Sequence, residues 1–321
     1  MILWIAAALC CAAGYCAYCL YGGMVVFSIV FDPQTPKERA FENFPAKKLD
    51  NQAEKARLSA WFDEHAEDVF ITARDGARLC GKLFRAKKDS GTAAGVIICM
   101  HGFRSNVYQM AGAAARFSDA GWDALAPWQR CHGQSGGVYH GMGYLEHFDA
   151  LDWAAWAAAN GAKNIVLYGI SMGAAAVMMA AGEREALNIP VKAIIADCGF
   201  SSIADQVSAG VRRAYPKTYH GITAAGSLVT KLRAGFFWKD GACTEYVRRS
   251  PIPKLFIHGT ADAVVPFEAF QKLFGAAREP KKKLEVPGAG HAASQTEIPA
   301  LYWSAADSFL RENSLTGVSC E

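Results

Sequence analysis

The chain is 321 residues long, 52% hydrophobic and 20% charged, which excludes a disordered protein and allows a sizeable buried core. Its net charge is only +3 and no basic stretch is interleaved with aromatics, so nothing points to a nucleic-acid partner. The ten cysteines lack disulfide-framework spacing, which fits a reducing compartment better than a secreted one.

The segment from Ile2 to Phe31 has no charged residue, and Asp32 is the first. A helix of that length reaches about 45 Å, against a hydrocarbon core of roughly 30 Å. A cleaved signal peptide would have a basic n-region, a shorter apolar core and a clean small-x-small cleavage site. Those features are missing, so the expectation is an uncleaved transmembrane anchor over residues 1–31. Lys37, Arg39, Lys47 and Lys48 follow the segment and no basic residue precedes it, which places the catalytic body in the cytoplasm by the positive-inside rule. Cys16-Ala-Tyr-Cys19 matches C-x-x-C, but inside a lipid-embedded helix these are better read as small apolar residues than as a metal or redox pair.

Residues 32–67 read as a linker followed by an amphipathic helix ending near His65. The pattern then changes. Val69–Ala73 and Arg78–Phe84 flank Asp75-Gly76, a hairpin turn signal. Next come a strand over Gly95–Met100, a helix over Val107–Ala120, a strand over Trp122–Ala126 and a helix over Leu145–Asn160. A strand over Asn164–Tyr168 leads to a helix over Met172–Gly182. Strands over Val191–Ala196, Lys254–His258 and Lys282–Val286 follow, the last two each trailed by a helix. Strands alternating with helices predict a mostly parallel sheet with helices on both faces, an α/β domain over residues 68–321. Residues 201–250 break the alternation and read as a helical cap insertion.

In such a sheet, ligands bind beyond the carboxyl ends of the strands. Gly169-Ile170-Ser171-Met172-Gly173 lies at one such end, between a predicted strand and a predicted helix. Alone, G-x-S-x-G is a weak pattern. In this context it becomes a sharp turn that holds the Ser171 hydroxyl up as a candidate nucleophile. A serine needs a base to take its proton and an acid to orient that base, in the chain order Ser, Asp or Glu, His. Asp262 follows the strand Lys254–His258, and His291 follows the last strand. Both stand in the required order. Asp197 is the competing acid, one strand earlier, with helix or turn capping as its bland role. His101 and His132 precede the serine, so structural or substrate-contacting roles suit them better. The run Gly288–Ala293 mimics a dinucleotide fingerprint, but no further β-α-β unit follows it. For the developing oxyanion, the candidate donors are the backbone N–H groups of Met172 and Phe103, with Gly102 letting the chain approach.

Taken in order, "HGF", "QRCHGQSGG", "GISMG", "HGTADAVVP" and "GAGHA" resemble the α/β-hydrolase superfamily. More narrowly, the chain is similar to membrane-anchored bacterial hydrolases of the serine aminopeptidase-like and lysophospholipase-like group, over roughly residues 68–313. The resemblance implies triad roles for Ser171, Asp262 and His291, and Ser171 excludes the aspartate-nucleophile branch. Trp128 and Cys131 depart from the Asp and Gly more usual in relatives, which bears on substrate fit and leaves the triad intact.

Within the cap, Ile222, Ala225, Val229, Leu232 and Phe236 recur at helical spacing, either as a core-packed face or as an apolar acyl pocket or lipid-dipping surface. The cap also carries eight Lys and Arg against three acidic residues, which beside an anionic leaflet favours lipid-like esters. The expected function is a membrane-anchored serine hydrolase of carboxylic esters with an apolar acyl or monoacyl-lipid-like group, with no metal or organic cofactor. A peptidase removing N-terminal residues and a catalytically silent binding module remain as alternatives. The sequence leaves the oligomeric state open.

Overall fold

The computed structural model describes residues 1–36, 52–87 and 93–315. Most of the predicted linker lies outside them, including Lys37, Arg39, Lys47 and Lys48, which carried the orientation argument. The described chain opens with α1 (Ile2–Phe31) and α2 (Gln52–His65). An eight-stranded sheet follows, in the order β1-β2-β4-β3-β5-β6-β7-β8. Its strands are β1 (Glu67–Thr72), β2 (Arg78–Phe84), β3 (Val96–Met100), β4 (Asp123–Pro127), β5 (Ile165–Ile170), β6 (Val191–Asp197), β7 (Lys254–Gly259) and β8 (Lys281–Val286). β2 pairs antiparallel with β1 and with β4, and every other pair is parallel. The predicted elements are all present, with ends moved by a few residues. The expected helix over 107–120 opens as a 3-10 turn, Val107–Met110, before α3 (Ala111–Asp119), because the Asn106 side chain accepts the Tyr108 N–H and sets the tight first turn.

Side-chain alternation sends each strand into two cores. In β5, Ile165 and Leu167 join one face, while Val166, Tyr168 and Ile170 join the other. The first face is covered by α4 (Tyr144–Ala159) and α5 (Met172–Gly182), with Trp153 and the fully buried Ala/Met run of α5. The second is covered by α2, α3 and the C-terminal helix Pro299–Glu312 through Phe62, Phe117, Tyr302 and Phe309. The edge strand β8 keeps Lys282 and Lys283 exposed, charges that discourage another strand from pairing there.

Between β6 and β7 lie only helices: α6 (Ile203–Ala214), α7 (Tyr219–Ala234), a 3-10 turn over Trp238–Gly241 and α8 (Cys243–Arg249). The apolar stripe sits on α7 and the turn after it, with Ile222, Val229 and Phe236 buried. Leu232 departs from the expected stripe and is 76% exposed. The inward position goes to Thr230, whose hydroxyl accepts from Trp238 Nε1 at 2.8 Å and satisfies the buried indole.

α1 divides into two parts. Residues 3–18 are each exposed, with Tyr15 and Tyr18 reaching the start of α7, and the helix is long and apolar enough to cross a membrane or to serve as a signal sequence. Its last turns also pack into the domain. Phe27 and Phe31 are fully buried, against Tyr139, Phe236 and Trp238. Burying each aromatic contributes about 1.5–3 kcal/mol. α1 and α7 run side by side along a seam of small residues. A Cβ at Gly23 would stand 2.6 Å from the Gly226 nitrogen, and one at Gly221 would stand 2.4 Å from Cys19 Sγ. Cys19 is therefore buried protein, while Cys10, Cys11 and Cys16 lie on the exposed part.

Candidate active site

β5 runs straight into Ser171, which is the N-cap of α5 and holds φ 57, ψ −115. A non-glycine residue persists there only when its surroundings impose it. The flanking glycines allow that imposition. A Cβ on Gly173 would lie 2.0 Å from the Met100 carbonyl oxygen, and one on Gly169 would lie 2.3 Å from the Gly173 oxygen. Only hydrogen at both positions lets α5 pack tightly against β3 and β5. The Ser171 N–H donates to the Asp197 carbonyl at 2.9 Å, which pins the elbow to β6.

The turns after β7 and β8 bring two more side chains to the serine. His291 Nε2 stands 2.9 Å from Ser171 Oγ, and His291 Nδ1 stands 2.7 Å from Asp262 Oδ2. With a carboxylate at Nδ1 the ring keeps its proton there, so Nε2 accepts from the serine hydroxyl. The Asp262 carboxylate is buried and its other oxygen accepts the N–H groups of Val264 and Val265, both at 2.8 Å. These bonds fix the carboxylate in one orientation. The residues singled out from 29 and 120 positions apart in the chain thus form one hydrogen-bonded row.

The other sequence candidates take different places. The Asp197 carboxylate is buried on the second core face, where Oδ2 accepts from Tyr302 Oη at 3.1 Å and no bond joins it to His291. Burial, partly offset by that hydroxyl, pushes its pKa up to about 7. His101 and His132 are buried, and backbone groups engage both nitrogens of each ring. His101 Nδ1 donates to the Gly102 carbonyl and Nε2 accepts the Gln129 N–H, while His132 Nδ1 donates to the Arg130 carbonyl and Nε2 accepts the Arg104 N–H. Burial lowers His101 to about 3, so its imidazole stays neutral. Gly102 lies beside the serine, since a Cβ there would be 3.6 Å from Ser171 Cβ, and Phe103 follows it. Met172 is the first residue of α5, so its N–H has no intrahelical acceptor.

The variant loop at Trp128–Gly133 is held by charge. Arg130 is buried and makes two bonds to the Asp149 carboxylate, at 2.7 and 2.5 Å, and one to Asp75 at 2.9 Å. Among the described residues, Cys198 Sγ with Asp262 and His291 could suggest a metal site, because their donor atoms lie within 4.8 Å of one another. Both oxygens of Asp262 and both nitrogens of His291 are already engaged, and burial raises the Cys198 thiol well above its usual pKa. That donor set is not an open one. Sequence reasoning passed over His258 and Arg104. His258 Nε2 donates to the Val265 carbonyl at 2.9 Å and lies 3.4 Å from Asp262 Oδ2. Its position at the end of β7, four residues before Asp262, was the available signal.

The family model described as serine aminopeptidase, S33, matches residues 91–219. The uncharacterized protein YqkD of Bacillus subtilis is 28% identical over 218 residues, 67% of this chain and 70% of its own. An esterase of Pyrococcus furiosus superposes with a TM-score of 0.60 at 22% identity, covering 80% of this chain and 93% of that one. A thermophilic esterase of Thermogutta terrifontis, solved with butyrate bound, superposes at 0.62 and 19%, covering 80% and 97%. The chain has the α/β-hydrolase fold, and the resemblance to that superfamily read from its motifs holds.

Proposed function

We propose that this protein is a membrane-anchored serine esterase acting through an acyl-enzyme at Ser171. The observation that carries the reading is the row Asp262–His291–Ser171, with bonds of 2.7 and 2.9 Å, at a strained strand-to-helix elbow. Ser171 Oγ attacks the ester carbonyl as its proton passes to His291 Nε2, and Asp262 stabilises the imidazolium. The oxyanion forms opposite the N–H groups of Met172 and Phe103. Collapse breaks the bond to the alkoxy group, and His291 returns the proton to it. Water then attacks the acyl carbon as its proton passes to His291, and collapse breaks the bond to Ser171 Oγ, which takes that proton back as the acid leaves.

Esters with an apolar acyl group are the proposed substrates. The aromatic and basic character of the 201–250 cap supports this, as does the butyrate held by the esterase of like fold. Exposed apolar residues 3–18 support a membrane anchor, and the burial of Phe27 and Phe31 supports its retention, since cleavage would strip both from the core. We place the catalytic domain on the cytoplasmic side by the charge rule. The family description favours a second reading, a peptidase that removes N-terminal residues. Such an enzyme needs an acidic group for the substrate amine. The cap acids are engaged elsewhere: Asp205 with Ser201 and Lys272, Asp240 with the Phe237 N–H, and Glu245 with Arg248. Hydrolysis of p-nitrophenyl esters of graded acyl length, measured beside aminoacyl p-nitroanilides, separates the two. Higher kcat/KM on the anilides would defeat the ester reading.

A further inference from the structure

The carbonyl end of α1 lies against the loop that carries Phe103. The last four carbonyls of a helix have no intrahelical partner, and α1 has no basic residue in its last turn to serve them. The donors come from the site instead. Arg104 Nη2 donates to the carbonyls of Ile29 at 3.2 Å and Asp32 at 2.7 Å, and Nη1 donates to that of Thr35. The backbone N–H of His140 donates to the Phe31 carbonyl at 2.9 Å. Arg104 itself is buried and holds φ 49, and its N–H donates to His132 Nε2 at 3.0 Å. The His140 ring packs on both Phe103, at 5.5 Å, and His132, at 4.7 Å. A guanidinium at the negative end of a helix is favourable electrostatically, and three charge-assisted bonds fix it there.

We propose that Arg104 is a positioning residue that registers the oxyanion loop on the end of α1, which makes the anchor helix part of the active site. The proposal rests on Ser171 as nucleophile and the Phe103 N–H as an oxyanion donor. The clamp holds Arg104 in the left-handed region, one residue after that donor. Without it the loop relaxes toward ordinary backbone angles and the donor moves from where the oxyanion forms. Displacement of this kind costs about 10²-fold in rate. Ester binding, which does not depend on the oxyanion, is spared.

The test uses the full chain in detergent micelles or nanodiscs, with Arg104→Met, Arg104→Lys and Gly23→Leu. Gly23→Leu loosens α1 from α7 at a distance from the site, since a Cβ there meets the backbone of Ala225 and Gly226. Measured are kcat and KM for a short p-nitrophenyl ester and the Ki of a trifluoromethyl ketone. In the ketone adduct Ser171 Oγ bonds to the ketone carbon, the serine proton passes to His291, and the carbonyl oxygen becomes an oxyanion. Arg104→Met is expected to lower kcat by about 10- to 100-fold and raise the ketone Ki in parallel, with KM within about threefold. Arg104→Lys is expected to recover part of both, and Gly23→Leu to shift both in the same direction. A wild-type kcat in Arg104→Met overturns the proposal, as does a lowered kcat with unchanged ketone Ki. If Arg104→Met does not fold, wild-type ketone Ki values in the other two variants overturn it. Ser171→Ala separates the two levels: if it turns over ester like wild type, the underlying reading fails and the proposal with it. An inactive Ser171→Ala beside a wild-type-like Arg104→Met defeats the proposal alone.

Discussion

Asp262→Asn is the most informative single substitution in the site. Asp262 Oδ1 accepts two backbone N–H groups at 2.8 Å, so an asparagine keeps its carbonyl oxygen there and turns its NH2 toward His291. That NH2 would replace an acceptor 2.7 Å from Nδ1 with a donor. The imidazole then moves its proton to Nε2 and can no longer accept from Ser171. The expected loss is about 10⁴ in kcat, or about 5.5 kcal/mol of transition-state stabilisation. The backbone bonds survive, so the melting temperature should stay within about 5 °C. Steady-state hydrolysis of a p-nitrophenyl ester, with thermal unfolding of the same sample, measures both. A folded Asp262→Asn that retains more than a tenth of wild-type kcat would refute the orienting role.

Three further predictions concern stability. Gly173→Ala should destabilise by about 1–3 kcal/mol or fail to fold, because its Cβ meets the Met100 and His101 carbonyls, whereas Gly290→Ala meets nothing within 4 Å and should be near neutral. Equal urea midpoints for the two would count against the close packing of α5 on β3. Arg130→Met leaves the buried Asp149 carboxylate unpaired and should cost about 3–5 kcal/mol, with Arg130→Lys recovering only part; a loss under about 1 kcal/mol in urea denaturation would show the pair to be dispensable. Asp197 rises from 3.8 to about 7 by burial, so between those pH values the folded protein keeps a proton that the unfolded chain releases. Its contribution to stability is therefore present at low pH and falls as pH rises toward 7, by about 4 kcal/mol for three units. Asp197→Asn removes that loss, so its advantage over wild type should widen from pH 4 to pH 7, and a constant difference would contradict the assignment.

The site was legible in the sequence because its chemistry sits at strand ends, where apolar runs stop at glycine-rich turns. Gly169 and Gly173 bracket a turn that admits no Cβ, and that constraint is written directly as residue type. Asp262 follows the buried apolar strand β7 and His291 the glycine-rich turn after the last strand, so topology brought them to the serine without any knowledge of side-chain positions. The docking of α1 was not legible. Phe27 and Phe31 in the core are apolar, as are Leu3 and Leu9 in the exposed part, and a span and a core helix share one apolar signature. The glycines at 22, 23, 221 and 226 were the available hint, but two small-residue patches two hundred positions apart do not announce that they pair. Leu232 misled because the stripe assumed an apolar partner at each turn, while the structure spends one inward position on the hydroxyl that the Trp238 indole requires. Arg104 reads as an ordinary loop arginine until the carbonyl end of α1 is seen beside it.

The central claim is that Ser171 is an activated nucleophile. Treating the folded full-length protein with a fluorophosphonate and mapping the adduct by peptide mass spectrometry tests it most directly. The account predicts a single phosphonylated serine at position 171, with labelling and ester hydrolysis both lost in Ser171→Ala. Folded protein that takes no label, or a Ser171→Ala variant that labels and hydrolyses like wild type, would contradict it.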